Sequence, residues 1–168
     1  IGTGGIFDYL RTQLADFTIA VTDHGAGAVS FFAVRGQPKR VFNVHLDTVP
    51  SSPAWSADPH VLRIEGDRAI GLGACDIKGA AAALVAAAQV TKGDAAFLFT
   101  TDEEANDARC IAAFLARVHG FGEAIIDEST PCQAVLAHRG IRAVRMAFRG
   151  QAGHASAGNA LSHRALLH

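Results

Sequence analysis

An α/β fold, with a largely parallel central sheet and helices on both faces, is predicted by three observations. Apolar strand-like runs alternate with helical patterns along the chain; the middle runs are apolar throughout; and polar residues gather where those runs end. "GIFDYLRTQLADF", residues 5–17, reads as an amphipathic helix. "TIAVTD" (18–23) and "AVSFFAVRG" (28–36) read as strands, and "RVFNVHLDT" (40–48) as a central strand. Residues 77–90 form a helix, because the stretch is mostly alanine, the best helix former. "AAFLFTTDE" (95–103) is another buried strand, "ARCIAAFLARVHG" (108–120) a helix ending near Gly120, and "EAIIDE" (123–128) a short strand. From Val135 the pattern changes to two strand-like runs around Arg139-Gly140, which divides the chain into a first domain, 1–136, and the beginning of a second, 137–168.

Composition narrows the function classes. With 49% hydrophobic and 18% charged residues the chain is globular rather than disordered, and a formal net charge of -1 offers nothing for nucleic acid or an anionic membrane to recognise. A small molecule is the expected partner. Three cysteines, Cys75, Cys110 and Cys132, form no C-x-x-C pair, which argues against a disulfide framework or a thiolate zinc site and for a reducing, cytoplasmic setting. The longest apolar stretch, "AAAALVAAAQV", is too short for a membrane span. The chain opens at Ile1 without an initiator methionine and stops inside an amphipathic pattern, so the reading expects a piece of a longer protein.

The chemistry gathers where apolar runs end. In "VFNVHLDTVP" His45 and Asp47 lie two apart on a strand and therefore share a face, with Asn43 one step behind. A satisfied core histidine is one reading; a metal-binding imidazole oriented by a neighbouring carboxylate is the other. Asp76 follows a glycine-rich turn and precedes a helix, where an N-cap role competes with ligation. Gly71 and Gly73 do not open a dinucleotide loop, because the third glycine of G-x-G-x-x-G would fall on Asp76. "FLFTTDEEAND" runs into four acids, Asp102, Glu103, Glu104 and Asp107, and "AIIDESTP" into Asp127 and Glu128. Such carboxylates serve in part the first turn of a following helix, but at buried strand ends they repel one another unless a cation or proton is shared. One imidazole and several carboxylates, with no thiolate, suit zinc, cobalt or manganese in a two-metal hydrolytic site, and Glu103 and Glu104 offer one residue each for ligand and general base.

"VHLDTVP", "GLGACDIKG", "TTDEEAND", "IIDEST", "LAHRGI" and "GQAGHASAG" follow one another across nearly the whole chain, and in that order resemble the M20 family of co-catalytic zinc amidohydrolases and peptidases, most closely its acetylornithine deacetylase group and the acetylcitrulline deacetylase branch. The resemblance implies a three-layer, zinc-aminopeptidase-like sandwich with a mixed, largely parallel sheet, interrupted by an inserted α+β lid and dimerisation domain. It implies two zinc ions per complete site, with cobalt as a substitute. His45 and Glu128 would bind the first, Asp76 would bridge, and Glu104 would bind the second. Asp47 would orient His45, Glu103 would act as general base, and His154, on the lid, would reach a partner subunit's site to stabilise the oxyanion. The implied reaction is hydrolysis of an N-acetyl amino acid, acetylcitrulline or acetylornithine, on the route to arginine, by a homodimer. Succinyl-diaminopimelate desuccinylase, aminoacylase and dipeptidase share the metal set and are the alternatives, as is a non-catalytic remnant. Leu72 replaces an arginine common in the family, "DEST" replaces Gly-Glu-Pro-Thr and sets Asp127 beside Glu128, and the family's last histidine ligand lies beyond His168.

Overall fold

Two antiparallel strands and a parallel trio build the central sheet in the computed structural model, which describes residues 4–117, 120–130, 133–137, 140, 144 and 146. The elements are α1 (Gly4–Gln13), β1 (Thr18–Asp23), β2 (Val29–Arg35), β3 (Arg40–His45), β4 (Arg63–Glu65), β5 (Arg68–Ile70), α2 (Gly79–Val90), β6 (Ala95–Thr100), α3 (Arg109–Leu115) and β7 (Glu123–Ile126). The five-stranded order is β1-β2-β6-β3-β7. β1–β2 and β2–β6 pair antiparallel, whereas β6–β3 and β3–β7 pair parallel. The expected α/β class and mixed sheet are present, with parallel pairing confined to the half that carries the polar strand ends.

Side-chain alternation sorts the sheet residues into two cores. Phe31, Ala33, Val44, Phe97 and Phe99 face α1 and α2, where Phe7, Leu10, Leu14, Ala81 and Val85 close over them. Val41, Ala96 and Leu98 face the other way, with Ile111 and Phe114 of α3 and with Phe121. These are three layers, helix, sheet and helix. The β3 and β6 strands are buried over most of their length, while the edge strands β1 and β7 are largely exposed, as an alternating and a short strand respectively allow.

Three elements differ from the sequence reading. The second helix begins at Gly79, not 77, because a π-helical turn, Ala74–Lys78, precedes it and holds Asp76 and Ile77 in non-helical backbone. Helix α3 stops at Leu115, where Arg117 N–H turns back to the Phe114 carbonyl in the tighter i→i−3 pattern. A two-stranded hairpin, β4–β5, lies in a stretch to which no strand had been given; its signal was a Gly66-Asp67 turn between short Ile-containing runs. The chain divides into two units, Ile1–Gln133 and Ala134–His168. His154 and most of the strand-like runs around Arg139-Gly140 lie outside the described residues.

Candidate metal centre

Register builds the site. In the parallel β3–β7 pair Asn43 stands opposite Ile126, and Asp127 N–H continues the ladder by donating to the Asn43 carbonyl at 2.9 Å. Two residues further on each strand come His45 and Glu128, on the same face; Asp127 has the opposite parity. On the other side β3 pairs with β6, His45 opposite Thr100, and Leu46 N–H donates to the Thr100 carbonyl at 2.7 Å. The acidic loop after β6 therefore leaves the sheet beside Asp47.

His45 is buried and fixed from both ring nitrogens. Its Nδ1 lies 3.2 Å from the Asp47 backbone carbonyl and 3.4 Å from Asp47 Oδ1, both acceptors, an arrangement that suits a proton on Nδ1. With the proton on Nδ1, it is the Nε2 lone pair that faces Asp76 Oδ1, 3.3 Å away. Two electron-pair donors at that distance repel unless a second proton or a metal cation lies between them. Ligand atoms of His45, Asp76 and Glu128 lie within 4.8 Å of one another, so the three can hold one ion. Desolvation pushes the Glu128 carboxyl above its ordinary range; His45 opposes this, and Glu103, Asp76 and Glu104 add to it. The residues fit a divalent cation.

Of the two readings left open for Asp76, N-cap and ligand, the structure does not show the cap. Lys78 occupies the cap position of α2, without a side-chain cap bond, and the Asp76 carboxylate instead meets His45. The π-helical turn explains the difference, since it runs through Lys78, directly before the helix, and holds Asp76 in non-helical backbone.

The four acids after β6 divide into two pairs with different uses. Asp102 is buried, and its Oδ2 accepts the Cys110 N–H at 2.9 Å, capping α3 from outside because Ala108 at the cap position has no side chain to do so. Asp107 pairs with Arg109 at 2.9 Å. Glu103 and Glu104 remain. Glu104 is tied by its backbone N–H to Asp47 Oδ2 at 2.8 Å, which couples the acidic loop to the His45 strand end. The other Asp47 oxygen, Oδ1, is buried without a hydrogen bond of good geometry, its polar neighbour being His45 Nδ1 at 3.4 Å. Glu103 and Glu104 bear electrostatically on Glu128 but stand outside the 4.8 Å group. Asp127 is outside it too; one of its oxygens is buried and unpaired, and desolvation raises its carboxyl. Lys78 escaped the sequence reading. Its signal was available: it is the single Lys or Arg in residues 41–50, 71–79, 100–108 and 123–130, which hold nine acids.

Residues 41–152 match Peptidase family M20/M25/M40. The chain is 69% identical over 153 residues to an N-acetyl-L-citrulline deacetylase of Xanthomonas campestris pv. campestris, a match that covers 91% of this chain and 42% of that protein. It is also 42% identical over 111 residues to a succinyl-diaminopimelate desuccinylase of Rhizorhabdus wittichii, covering 60% and 29% of the two chains. A desuccinylase of Stutzerimonas stutzeri is 33% identical over 146 residues, covering 74% and 38%. The chain thus spans less than half the length of these relatives. With the matched region covering every strand from β3 onward and all the acids that surround His45, the chain belongs to Peptidase family M20/M25/M40.

Proposed function

We propose that the protein hydrolyses the N-acetyl amide of an amino acid, acetylcitrulline or acetylornithine, to acetate and the free amino acid for arginine synthesis. The observation that carries this reading is the group formed by His45, Asp76 and Glu128, whose ligand atoms lie within 4.8 Å of one another, with His45 Nε2 facing the Asp76 carboxylate. The similarity to an N-acetyl-L-citrulline deacetylase supports the choice of substrate.

His45 and Glu128 would hold one ion, Asp76 would be shared with a second, and Glu104 would hold that second; the donor set of imidazole and carboxylate favours zinc, with cobalt able to replace it. When bound, the ions supply Lewis acidity, polarising an amide carbonyl and making water a stronger acid. Asp47 keeps His45 in the tautomer that presents Nε2 to the site. Glu103, exposed and free of the cap that occupies Asp102, accepts a proton from the attacking water. The water oxygen joins the acyl carbon, the C–N bond breaks, and Glu103 returns the proton to the departing amine nitrogen. His154 donates a hydrogen bond to the oxyanion in the site of a second copy, which makes the protein a homodimer, with residues 137–168 opening the lid that carries the contact. The odd set of cysteines, two of them described and both free thiols, supports a reducing cytoplasm. Among the described residues no helix is long and apolar enough to cross a membrane.

Purified full-length protein loaded with zinc, assayed side by side on acetylcitrulline, acetylornithine and succinyl-diaminopimelate, tests the proposal. Release of acetate from one of the first two is expected, together with loss of a tightly held ion in Glu128→Ala. Turnover of the succinylated compound alone moves the protein to the desuccinylases, and no turnover of any refutes the reading.

A further inference from the structure

A cavity of about 290 Å³ lies between α3 and the β1–β2 side of the sheet, and His45, Asp76 and Glu128 do not line it. Its cause is width. A sheet of five strands is about 19 Å across, whereas α3, seven residues long, is about 10 Å in length and in diameter, so it roofs roughly half of that face. Register places Ala20 opposite Phe32 and Thr22 opposite Ser30, so alternate residues of β1 and β2 floor the part left uncovered. The rings of Phe32, Phe114 and Phe121, which also line the cavity, are in mutual contact with centroids 5.6, 6.1 and 6.0 Å apart. His24 and Ser30 supply a polar corner, in which Nε2 and the buried hydroxyl lie 2.9 Å apart and share a hydrogen bond. Arg117, just past the end of α3, lines the cavity as well, and among the described residues no side chain engages its guanidinium in a hydrogen bond or ion pair. No Asp or Glu among the described residues lines it.

We propose that this cavity binds a small aromatic carboxylate, its ring against Phe32, Phe114 and Phe121 and its charge against Arg117, with the His24–Ser30 pair as the neighbouring polar corner. The proposal is independent of the two-ion reading given above. The volume stands at the lower end of what sites for small molecules enclose, and the mix of apolar wall and few polar groups is the usual one. Aromatic side chains at these spacings accept a further ring edge-to-face or offset, and a guanidinium meets a carboxylate through two parallel N–H donors. Charge selects the sign of the ligand. One fixed cation and no carboxylate line the cavity, so an anion gains an attraction that a neutral molecule of the same shape does not.

Titration calorimetry of phenylacetate, and of neutral phenylacetamide, into the full-length metal-free protein tests this; leaving the metal out keeps the carboxylate from being drawn to an ion at His45. Saturable binding of phenylacetate is expected, with phenylacetamide weaker by roughly ten- to a hundredfold, the factor a charge-assisted hydrogen bond supplies. Arg117→Gln should lose phenylacetate affinity by the same factor, and because Arg117 is exposed the change leaves the core untouched. Ala113→Phe fills the cavity from α3 and should abolish binding with Arg117 in place. Equal affinity for acid and amide overturns the inference, as does wild-type affinity in either folded variant. Absence of saturable binding in the full-length protein also overturns it, and assigns this face to another part of a polypeptide of which the chain spans 42% in its deacetylase relative. If circular dichroism shows Ala113→Phe unfolded, Arg117→Gln and the acid–amide comparison decide.

Discussion

Gly73→Ala isolates the backbone that aims Asp76. Gly73 has φ of +76°, in the left-handed region, so any other residue costs about 1–2 kcal/mol in backbone energy. The added Cβ would lie 2.5 Å from the Thr48 methyl and 2.9 Å from Lys78 Nζ. The ammonium sits at the end of a long side chain and swings away; the threonine is β-branched and stiff, so crowding adds about 1–3 kcal/mol. Gly66→Ala is the control, because Gly66 has φ of +63° and nothing within 4 Å of its added Cβ, leaving the backbone cost alone. Urea unfolding of the metal-free protein followed by circular dichroism should show Gly73→Ala about 2–5 kcal/mol less stable and Gly66→Ala about 1–2. Zinc affinity should fall about tenfold in Gly73→Ala alone, because displacing the turn moves Asp76 away from His45. Equal stability losses, or an unchanged zinc affinity in Gly73→Ala, would refute the claim that close packing of this turn on Thr48 aims the carboxylate.

Phe31, fully buried and in ring contact with Phe7 and Phe99, joins α1 to the middle of the sheet, and Phe31→Ala should cost roughly 3–5 kcal/mol in chemical denaturation. Asp102→Ala should cost about 1–2 kcal/mol and leave zinc uptake nearly unchanged, as befits a cap for α3 rather than a ligand; a large loss of zinc would move Asp102 into the site. The raised Glu128 carboxyl gives two pH trends of opposite sign. Zinc uptake should strengthen as pH rises through the window above 4.5, the ordinary value, because ligation requires the ionised form. Metal-free stability should fall over the same window, because the folded chain holds that proton longer than the unfolded one. Glu128→Gln should flatten both curves, measured by zinc titration and by urea midpoints against pH.

Much of this was legible in one dimension because it is local. The alternation of Phe31 with Phe32 and of Phe97 with Leu98 announces strands buried on two faces, and the run of alanines after Gly79 announces a helix, whatever surrounds them. The placement of His45, Asp76, Glu103, Glu104 and Glu128 at the ends of apolar elements marked one edge of the sheet as the site. The partition of those acids was not legible. Asp102 and Asp107 resemble Glu103 and Glu104 in sequence, and only the position of α3 assigns the first to a cap and the second to Arg109. Asp127 and Glu128 are adjacent carboxylates, and the parallel register of β3 with β7 turns Glu128 to the His45 face. For Asp76 the sequence kept a helix cap open beside ligation because its neighbours suit a cap; the π-helical turn, closed by Lys78 on Gly73, withdraws it from the helix.

The sequence by itself determined the α/β class, the strands and helices of the central sheet through β7 though not the β4–β5 hairpin, and the residue types from which a cation site can be made, since these follow from periodicity and side-chain chemistry over a few neighbours. The tertiary structure alone decided which carboxylates share the imidazole and which acids the caps and arginines take out of the site. Those depend on distances between residues 31 and 83 positions apart in the chain, His45 to Asp76 and to Glu128, which strand pairing closes and local pattern does not encode.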